Sequence, residues 1–481
     1  MTNSKSLLTL GLALASAALT FSLTVRAQAQ TFSKFAIFDG TNGSAPNAVI
    51  QATDGNLYGT TRGFDPPVEF GNVVRVSPTG EVTSVYTFCQ KPYCADGAWP
   101  ATPAILGSDG NLYGVTSAGG SKLNGGFGWG TVYKMTLTGQ MTTLHIFCST
   151  GSCSDGSNPV GIMQASDGNL YGTTFDGGQF NDGTLFKLTT TGTFTILHHF
   201  CSLANCADGR WPIFPPMQGN DGSIIGTANT GGISDGGLVW ALTPAGNFNM
   251  VHRFTCGGDP CPRGSSPISL VQDAKGNLFG VAGGGGDAGQ GAIFEITAAH
   301  EFKILHSFTG GELALGDAGL TLANDGNIYG TTQGINGFGD IFRITPDGAY
   351  SILHTFLSQS EITTPNDGLF QATDGKFYGS ALGYCDAPFS CNGAVYSLDN
   401  NLSPLVQTLP TAGKVGKSVL ILGNGLSGTT SVTFNGVAAQ FAVQSDTYIK
   451  ATVPKGATTG TVSVTTPSGT LNSNPQFVVT K

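Results

Sequence analysis

The chain has 481 residues, of which 11% are charged and 72 are glycine, and its formal net charge is −9. This length is sufficient for two or three domains with cores of their own. The sparse, acidic charge argues against a nucleic-acid-binding surface, which needs clustered lysine and arginine. The many glycines, without a long 3.6-residue hydrophobic period, predict short strands joined by turns.

The first segment has the pattern of a secretory signal peptide, which we assign to residues 1–29. Lys5 precedes an apolar run that begins at Leu7 and ends at Leu23, and Ala27-Gln28-Ala29 fits a small-x-small cleavage site. The alternative is an uncleaved membrane anchor, because the apolar run is slightly long for a signal. No later segment is apolar enough to span a bilayer, so the mature chain is expected to be secreted, periplasmic or at the cell surface.

A six-residue motif, Asp-Gly-Asn-Leu-Tyr-Gly or a close variant, occurs seven times. Its copies begin at Asp54, Asp109, Asp167, Asp221, Lys275, Asp325 and Asp374. An Asp-Gly step followed by alternating apolar residues predicts a tight hairpin turn that leads into a strand. A near-regular period of about 50 residues, made only of strands, is typical of a propeller blade.

Two further recurring units complete a repeat of four strands, which we name A to D. Strand A precedes the Asp-Gly turn, B contains Leu-Tyr-Gly, C has a Gly-x-Val-Phe form, and D reads Leu-His-x-Phe in most repeats. The seventh A–B–C set has no D strand of its own, whereas residues 31–38 form a D-type strand without a blade. Pairing these chain ends would remove an exposed sheet edge. We therefore predict a seven-bladed β-propeller over residues 30–402, with six or eight blades as alternatives.

Residues 403–481 have a different character, because cysteine, histidine and tryptophan disappear and short Val/Thr-rich strands alternate with Gly and Pro. This pattern predicts a small β-sandwich. The stretches PLVQTLPTAGKVGKSVLILGNGL, VTFNGVAA and IKATVPKGATTGTVSVTTPSG resemble the IPT/TIG family of immunoglobulin-like domains. The resemblance implies an adhesion, spacer or dimerisation module.

The repeats in turn resemble the GloVer tandem-repeat family of exported bacterial proteins. The likeness rests on DGNLYGTT, a Gly-rich stretch, GTLFKLT and FTILHHF, and it covers most of residues 30–402. It implies export and a repeat fold, and it transfers no catalytic residue. The fourth and fifth copies of the turn motif, DGSIIG and KGNLFG, depart from the consensus.

The ten cysteines fall into five close pairs, which are Cys89/Cys94, Cys148/Cys153, Cys201/Cys206, Cys256/Cys261 and Cys385/Cys391. An even count, local pairing and an export signal predict five disulfides. Zinc is the alternative, but pairs in separate repeats would have to converge to make one tetrahedral site.

Five repeats carry a histidine at one position of strand D, namely His145, His198, His252, His306 and His354. Equivalent positions around a ring cannot converge on one metal ion, so we interpret these histidines as packing residues. Three aspartates, Asp96, Asp155 and Asp208, follow a cysteine pair. We favour an Asx turn for them, and a calcium site is the alternative. No other cofactor is expected.

Binding residues are expected on the face with the long, variable B–C and D–A loops. The candidates are aromatic side chains, which suit stacking on sugars or gripping a protein. They are Trp129, Tyr384, Phe389, Trp99 and Trp211. The alternative is that these rings fill gaps between blades, and we favour it for Trp99 and Trp211, which share the sequence CADG-x-WP.

Catalytic patterns are weak. Residues 232–236 match G-x-S-x-G but lack the strand–turn–helix context, and residues 411–418 have Thr411 where a phosphate loop requires glycine. The loop acids without equivalents in other repeats form no recognisable pair; they are Asp65, Glu69, Asp176, Asp182 and Asp386. We expect an exported, monomeric, non-catalytic binding protein for a glycan or a cell-envelope protein. The alternatives are a polysaccharide-acting enzyme and a purely structural surface component.

Overall fold

The computed structural model describes residues 30–63, 70–121, 127–256, 261–313, 319–334, 338–357, 364–382 and 392–480. Within these residues the chain consists of strands and turns, with short 3-10 turns at Pro92–Cys94, Ala204–Cys206 and Ile233–Asp235. The signal peptide predicted for residues 1–29 lies outside the described residues. In the described part, none of the helical segments has the length and apolar character needed to cross a bilayer.

Seven antiparallel sheets each pair their strands in the order A–B–C–D, which confirms the predicted seven-bladed propeller. The A strands of blades 1 to 7 are Pro46–Gln51, Ala98–Pro100 with Ile105–Leu106, Ser157–Gln164, Met217–Gln218, Ser265–Gln272, Glu312–Leu313 with Leu320–Leu322, and Pro365–Gln371. The B strands are Leu57–Thr61, Leu112–Ala118, Leu170–Asp176, Ile224–Ala228, Leu278–Gly284, Ile328–Gly334 and Phe377–Ala381. The C strands are Asn72–Val76, Thr131–Met135, Thr184–Leu188, Leu238–Leu242, Ala292–Ile296, Gly339–Ile344 and Ala394–Asp399. The D strands of blades 1 to 6 are Val82–Thr87, Met141–Ile146, Phe194–His199, Phe248–Arg253, Phe302–Ser307 and Tyr350–Thr355.

The D strand of blade 7 comes from the N-terminus of the described chain. Thr31–Ile37 pairs antiparallel with Ala394–Asp399, so that Ala36 lies opposite Val395. The two ends of the ring are therefore joined by a ladder of backbone hydrogen bonds, as the unpaired D-type strand predicted.

The A strands face the propeller axis and enclose an apolar cavity of about 270 Å³. Its wall includes Val49, Ile162, Phe214 and Leu320. Asp367 is the acidic residue in this wall, and its carboxylate accepts the Ala48 N–H at 2.8 Å. The A strands thus surround an apolar cavity whose wall carries one capped carboxylate.

The aspartate of each Asp-Gly motif holds its own turn. In blade 3, Asp167 accepts hydrogen bonds from the Asn169 N–H at 3.0 Å, from its Nδ2 at 2.8 Å and from the Tyr171 hydroxyl at 2.9 Å. The copy that begins at Lys275 has no aspartate in this place. There Asp273 accepts the N–H groups of Lys275 and Asn277 instead, so the turn is kept despite the changed motif.

Glutamines at the ends of A strands join neighbouring blades on the same face. Gln164 Oε1 accepts the N–H of Ser108 in blade 2 at 2.7 Å, and Gln51 Oε1 accepts the N–H of Thr373 in blade 7 at 3.0 Å. Gln218, Gln272 and Gln371 make the equivalent bonds. These side chains satisfy turn N–H groups that would otherwise lack a protein partner.

The C-terminal part is a small β-sandwich. Its strands are Gln407–Leu409, Ala412–Lys414, Ser418–Leu422, Ser431–Phe434, Val437–Ala438, Phe441–Val443, Tyr448–Thr452, Val462–Thr466, Gly469–Asn472 and Val478–Thr480. Two four-stranded sheets enclose a core that includes Val419, Ile421, Phe434, Ile449 and Phe477.

The sandwich packs on the propeller face that carries the Asp-Gly turns, which we call the turn face. The Leu405 N–H donates to Thr373 O at 3.0 Å, and the Thr447 hydroxyl donates to Thr53 O at 2.6 Å. Leu422 joins the apolar cluster that contains Tyr58. The opposite face carries the B–C and D–A loops, and we call it the cysteine-loop face.

Candidate functional site

The five strand-D histidines stack on an aromatic ring of the next blade. His198 lies on Phe248 with ring centroids 3.7 Å apart and planes 8° apart, and His354 lies on Phe32 at 3.7 Å and 9°. The other pairs are His145–Phe194, His252–Phe302 and His306–Tyr350. Each ring meets a different partner, which agrees with a packing role. The His354–Phe32 stack also fastens the N-terminal strand to blade 6.

Four of the predicted disulfides are present, namely Cys89–Cys94, Cys148–Cys153, Cys201–Cys206 and Cys256–Cys261. The fifth predicted pair, Cys385 and Cys391, lies outside the described residues. The carbonyl of Cys94 accepts the N–H groups of Gly97 and Gly120, both at 2.7 Å. Each bridge therefore shapes a D–A loop that is also bonded to the neighbouring B–C loop.

The aspartate after three of these bridges caps the D–A loop. Asp208 accepts hydrogen bonds from Nε2 of His198 at 3.0 Å and from the N–H groups of Ser202 and Leu203 at 3.0 and 3.1 Å. Burial alone would raise the pKa of Asp208, but the donors around it outweigh burial and lower the pKa to about 2. Loop N–H groups bond in the same way to Asp96 and Asp155. The aspartates therefore cap the loop backbone, but their N–H donors lie five to seven residues earlier in the chain rather than two residues later, so the predicted Asx turn is wrong.

An x-Pro step begins strand A at six blade boundaries on the cysteine-loop face. The proline packs on the glycine before strand C of the preceding blade. A Cβ on Gly71 would lie 2.6 Å from Cδ of Pro100, and one on Gly183 would lie 3.0 Å from Cδ of Pro212. The residue before the proline has a φ between 50° and 56° in each case; these residues are Ala45, Trp99, Asn158, Trp211, Ser266 and Thr364.

We call these six positions before the proline the rim. At the rim, the proline and the tryptophan of the Trp-Pro motif have separate roles. The proline fills the space between blades wherever it occurs. The residue before it is alanine, asparagine or serine at other boundaries with the same backbone angle, so the fold does not require a tryptophan there. Pro100 and Pro212 therefore provide the packing between blades. The tryptophans before them are not needed for that packing, which indicates a different role for their rings.

Trp99 belongs to an exposed aromatic cluster. Its ring stacks on Phe127 with centroids 5.5 Å apart and planes 16° apart, and Phe70 lies 6.4 Å from Trp99. Trp99 is 38% exposed and Phe127 is 41% exposed, so the stack presents aromatic surface to solvent. Large rings in this state are typical of binding surfaces rather than of cores.

Trp211 holds the centre of a second, half-buried cluster two blades further on. Its ring stacks on Phe175 with centroids 6.0 Å apart, and the Arg210 guanidinium lies 4.4 Å from the Trp211 ring centroid. Arg210 donates two hydrogen bonds to Asp235, at 3.0 and 3.2 Å. The cation is therefore already paired with a carboxylate.

Two of the loop acids singled out in the sequence lie beside this cluster. The Asp182 carbonyl accepts the Trp211 N–H at 3.0 Å, and Asp176 accepts Nδ2 of Asn158 at 3.0 Å. Burial raises the pKa of Asp182; the charge of Arg210 lowers it, and that of Asp176 raises it further. An Asp182 carboxyl oxygen and the sulfurs of Cys201 and Cys206 lie within 4.8 Å of one another, but those sulfurs are joined in a disulfide.

The other aromatic candidates fall elsewhere. Trp129 is half-buried and its carbonyl accepts the Asn158 N–H at 3.0 Å. Tyr384 and Phe389 lie outside the described residues, as do Asp65, Glu69 and Asp386. Sequence reasoning did not single out Phe70, Phe127, Phe175 or Arg210. Only their closeness in sequence to loop glycines and to the Trp-Pro steps could have suggested them.

A cavity of about 980 Å³ lies between the turn face and the sandwich. Several of its amide side chains are already engaged by the protein. Asn220 donates to Asp273 O, Asn324 donates to Ser403 O, and Asn474 donates to Leu322 O. This crevice is part of a polar domain interface, so the exposed aromatic rim is the better candidate for a binding site.

The fold defines a class of protein, a seven-bladed propeller followed by an immunoglobulin-like sandwich. The model of the Gloeobacter/Verrucomicrobia repeat matches residues 14–206, 123–337 and 202–396, and the IPT/TIG domain model matches residues 402–479. The repeat matches cover more than half of the chain, which therefore belongs to the Gloeobacter/Verrucomicrobia repeat family. Both resemblances found in the sequence are confirmed.

Several solved structures are distantly similar. PorZ, described as a surface component of the type-IX secretion system of Porphyromonas gingivalis, is 12% identical, with 92% of this chain and 60% of that chain covered and a TM-score of 0.46. An aldose sugar dehydrogenase from Streptomyces coelicolor is 13% identical, with coverages of 77% and 98% and a TM-score of 0.39. A luciferin-regenerating enzyme is 14% identical, with coverages of 61% and 89% and a TM-score of 0.37. A comparison with curated proteins gave no match.

Proposed function

We propose that this chain is an exported, non-catalytic binding protein whose contact surface is the aromatic rim of the cysteine-loop face, with a glycan as its ligand. The observation that carries the proposal is the exposed Trp99–Phe127 stack. A flat ring pair on a rigid scaffold can lie against the C–H face of a sugar at little cost in conformational entropy. Disulfides, which persist in oxidising compartments, support export.

The setting of the stack supports a binding role as well. Further apolar side chains are exposed on the loops of this face; they are Tyr93, Phe180, Leu203 and Ile233. The opposite face is occupied by the sandwich. The backbone beneath the stack is fixed by the Cys89–Cys94 bridge and by the packing of Pro100 on Gly71. A preorganised surface of this kind binds without paying to order a loop.

The test is a binding screen of the mature chain against soluble polysaccharides, with Trp99→Ala and Ser266→Ala side by side. Ser266 occupies the same rim position with the same φ, and Ala45 shows that alanine fits this backbone. We expect Trp99→Ala to weaken binding at least tenfold and Ser266→Ala to leave it unchanged. Equal affinities for Trp99→Ala and the parent chain would contradict the proposal, and no binding to any sugar would favour a protein ligand.

Hydrolysis of a polysaccharide is the second candidate, and one observation favours it. Asp182 has a raised pKa and lies within electrostatic range of Asp176 beside an aromatic ring. Glycosidases use a pair of carboxyl groups, one of which acts as a general acid with a raised pKa. Release of new reducing ends by the parent chain, lost in Asp182→Asn, would establish this activity and overturn the non-catalytic proposal.

A further inference from the structure

We infer that the ligand is a neutral polysaccharide that contacts Trp99 and Trp211 together, so that the chain prefers long polymers to short sugars. This inference rests on the proposed function and deepens it. It names the substrate class of the rim and assigns a second binding position, Trp211, to the same ligand.

The two tryptophans occupy equivalent places in the propeller. Their φ angles are 55° and 54°, and each N–H donates to the carbonyl before strand C of the preceding blade, at 2.9 Å for Trp99 and 3.0 Å for Trp211. Each is followed by a proline packed on a glycine, and each ring meets a phenylalanine. Two tryptophans, the exposed Trp99 and the half-buried Trp211, are therefore held by the same backbone geometry on one face, two blades apart.

A polar position lies between them. Asn158 is the rim residue of the intervening boundary, and its Nδ2 donates to Asp176 at 3.0 Å. Its backbone N–H donates to the Trp129 carbonyl, so both the backbone and the side chain of Asn158 are held in place. The rim thus presents an aromatic ring, an amide with a carboxylate, and an aromatic ring in succession. Such an order suits sugar units that stack, hydrogen-bond and stack in turn.

The remainder of the rim is different. At the other described boundaries the same position is held by Ser266, Thr364 and Ala45, which offer no large flat surface. Among the boundaries that the structure describes, the aromatic track therefore lies in blades 2 to 4. A linear chain that follows this arc would meet both rings, whereas a short sugar would meet one.

The charges around the track decide which polymers it can accept. Arg210, the cation at the Trp211 cluster, is paired with Asp235. Asp176 and Asp182 add negative charge nearby, and Asp208 is ionised at neutral pH. The balance around Trp211 is negative, so uronate-rich or sulfated chains would be repelled at this end of the track. A neutral polymer, which can stack on both rings without this repulsion, fits the surface.

The experiment measures the affinity of the mature chain for a neutral β-glucan and for its two- to eight-residue oligomers, with polygalacturonate as the anionic comparison. The variants are Trp99→Ala, Trp211→Ala, the double variant and Ser266→Ala as control. If both tryptophan rings contact one glucan molecule, the second contact forms at a high effective concentration. The polymer should then bind about a hundredfold more tightly, per glucan molecule, than the disaccharide. Each single variant should remove most of this advantage, and the double variant should remove glucan binding.

The outcomes separate this inference from the proposed function. Loss of polymer preference in both single variants supports it. If Trp99→Ala abolishes binding while Trp211→Ala has no effect, the glycan-binding proposal survives and the two-ring inference is wrong. Tighter binding to polygalacturonate than to glucan would overturn the charge argument. Absence of binding to every sugar would overturn both proposals.

Discussion

Blades 3 and 4 both stack a strand-D histidine on an aromatic ring of the next blade, but the loop residue near that histidine has opposite charge in the two blades. In blade 3, His198 stacks on Phe248 and bonds to Asp208. In blade 4, His252 stacks on Phe302 at 4.2 Å and 5°, but the residue two places after its second cysteine is Arg263, where blade 3 has Asp208. Burial, followed by the charge of Arg263, lowers the pKa of His252 to about 4.

The difference shows what the repeated histidine contributes. Its stack on the next blade is kept when the residue at the equivalent loop position changes from an aspartate to an arginine. The flat ring is therefore the structural requirement, and the ion pair is an addition made in some blades. This explains why a histidine in every strand D of blades 2 to 6 does not indicate a metal or catalytic site.

The largest effect should come from removing the ring on which histidine stacks. We expect Phe248→Ala and Phe302→Ala each to lower the free energy of unfolding by about 3 kcal/mol, because a half-buried aromatic contact is lost and a cavity is left. The two values should agree within about 1 kcal/mol. Urea unfolding would measure them, with the exposed Asn249→Ala as control. A large cost in blade 3 and none in blade 4 would show that the ion pair, and not the stack, matters.

A smaller effect is expected at the charged partner. Asp208→Asn should cost about 2 kcal/mol at pH 7, because the carboxylate accepts several partly buried hydrogen bonds, whereas Arg263→Ala should cost less than about 0.5 kcal/mol. The folded pKa of Asp208, about 2, lies below the ordinary value of about 3.9. Its contribution is therefore complete above about pH 4 and is lost as the pH falls towards 2. The difference between Asp208→Asn and the parent should shrink over that range in acid-dependent unfolding, and a constant difference would contradict this assignment.

Much of the propeller could be predicted because the turn motif and the strand motifs all recur along the sequence. The Asp-Gly turn, the Leu-Tyr-Gly strand and the Leu-His-x-Phe strand gave the blades, and the unpaired strand before Phe38 gave the closure. The role of Asp273 could not be predicted, because a turn can be held by an aspartate outside the repeated motif. The docking of the sandwich on the turn face depends on contacts such as Thr447 to Thr53, which no local pattern encodes.

The candidate binding site was less predictable, because it too depends on contacts that no local pattern encodes. Trp99 and Trp211 were recognised as candidates, but the sequence could not separate their rings from the packing of Pro100 and Pro212. That separation needs the six equivalent boundaries seen together in space. Phe127 comes to Trp99 from a different loop, so their stack depends on the path of the chain rather than on spacing.

The smallest expected effect concerns the charge difference between blade 3 and blade 4. Arg263→Asp would place in blade 4 the charge that blade 3 has, so the pKa of His252 should rise by about one unit from its low value. In the parent chain His252 stays neutral in the fold while the unfolded chain binds a proton near pH 6.5, so stability falls as the pH drops from 6.5 towards 4. The variant should lose less stability over this interval, by less than about 1 kcal/mol. NMR spectra of ring-labelled histidine would follow His252, with His198 as an internal control that does not move. An unchanged pKa of His252 would mean that burial alone sets it, and the two blades would then differ in packing environment rather than in charge.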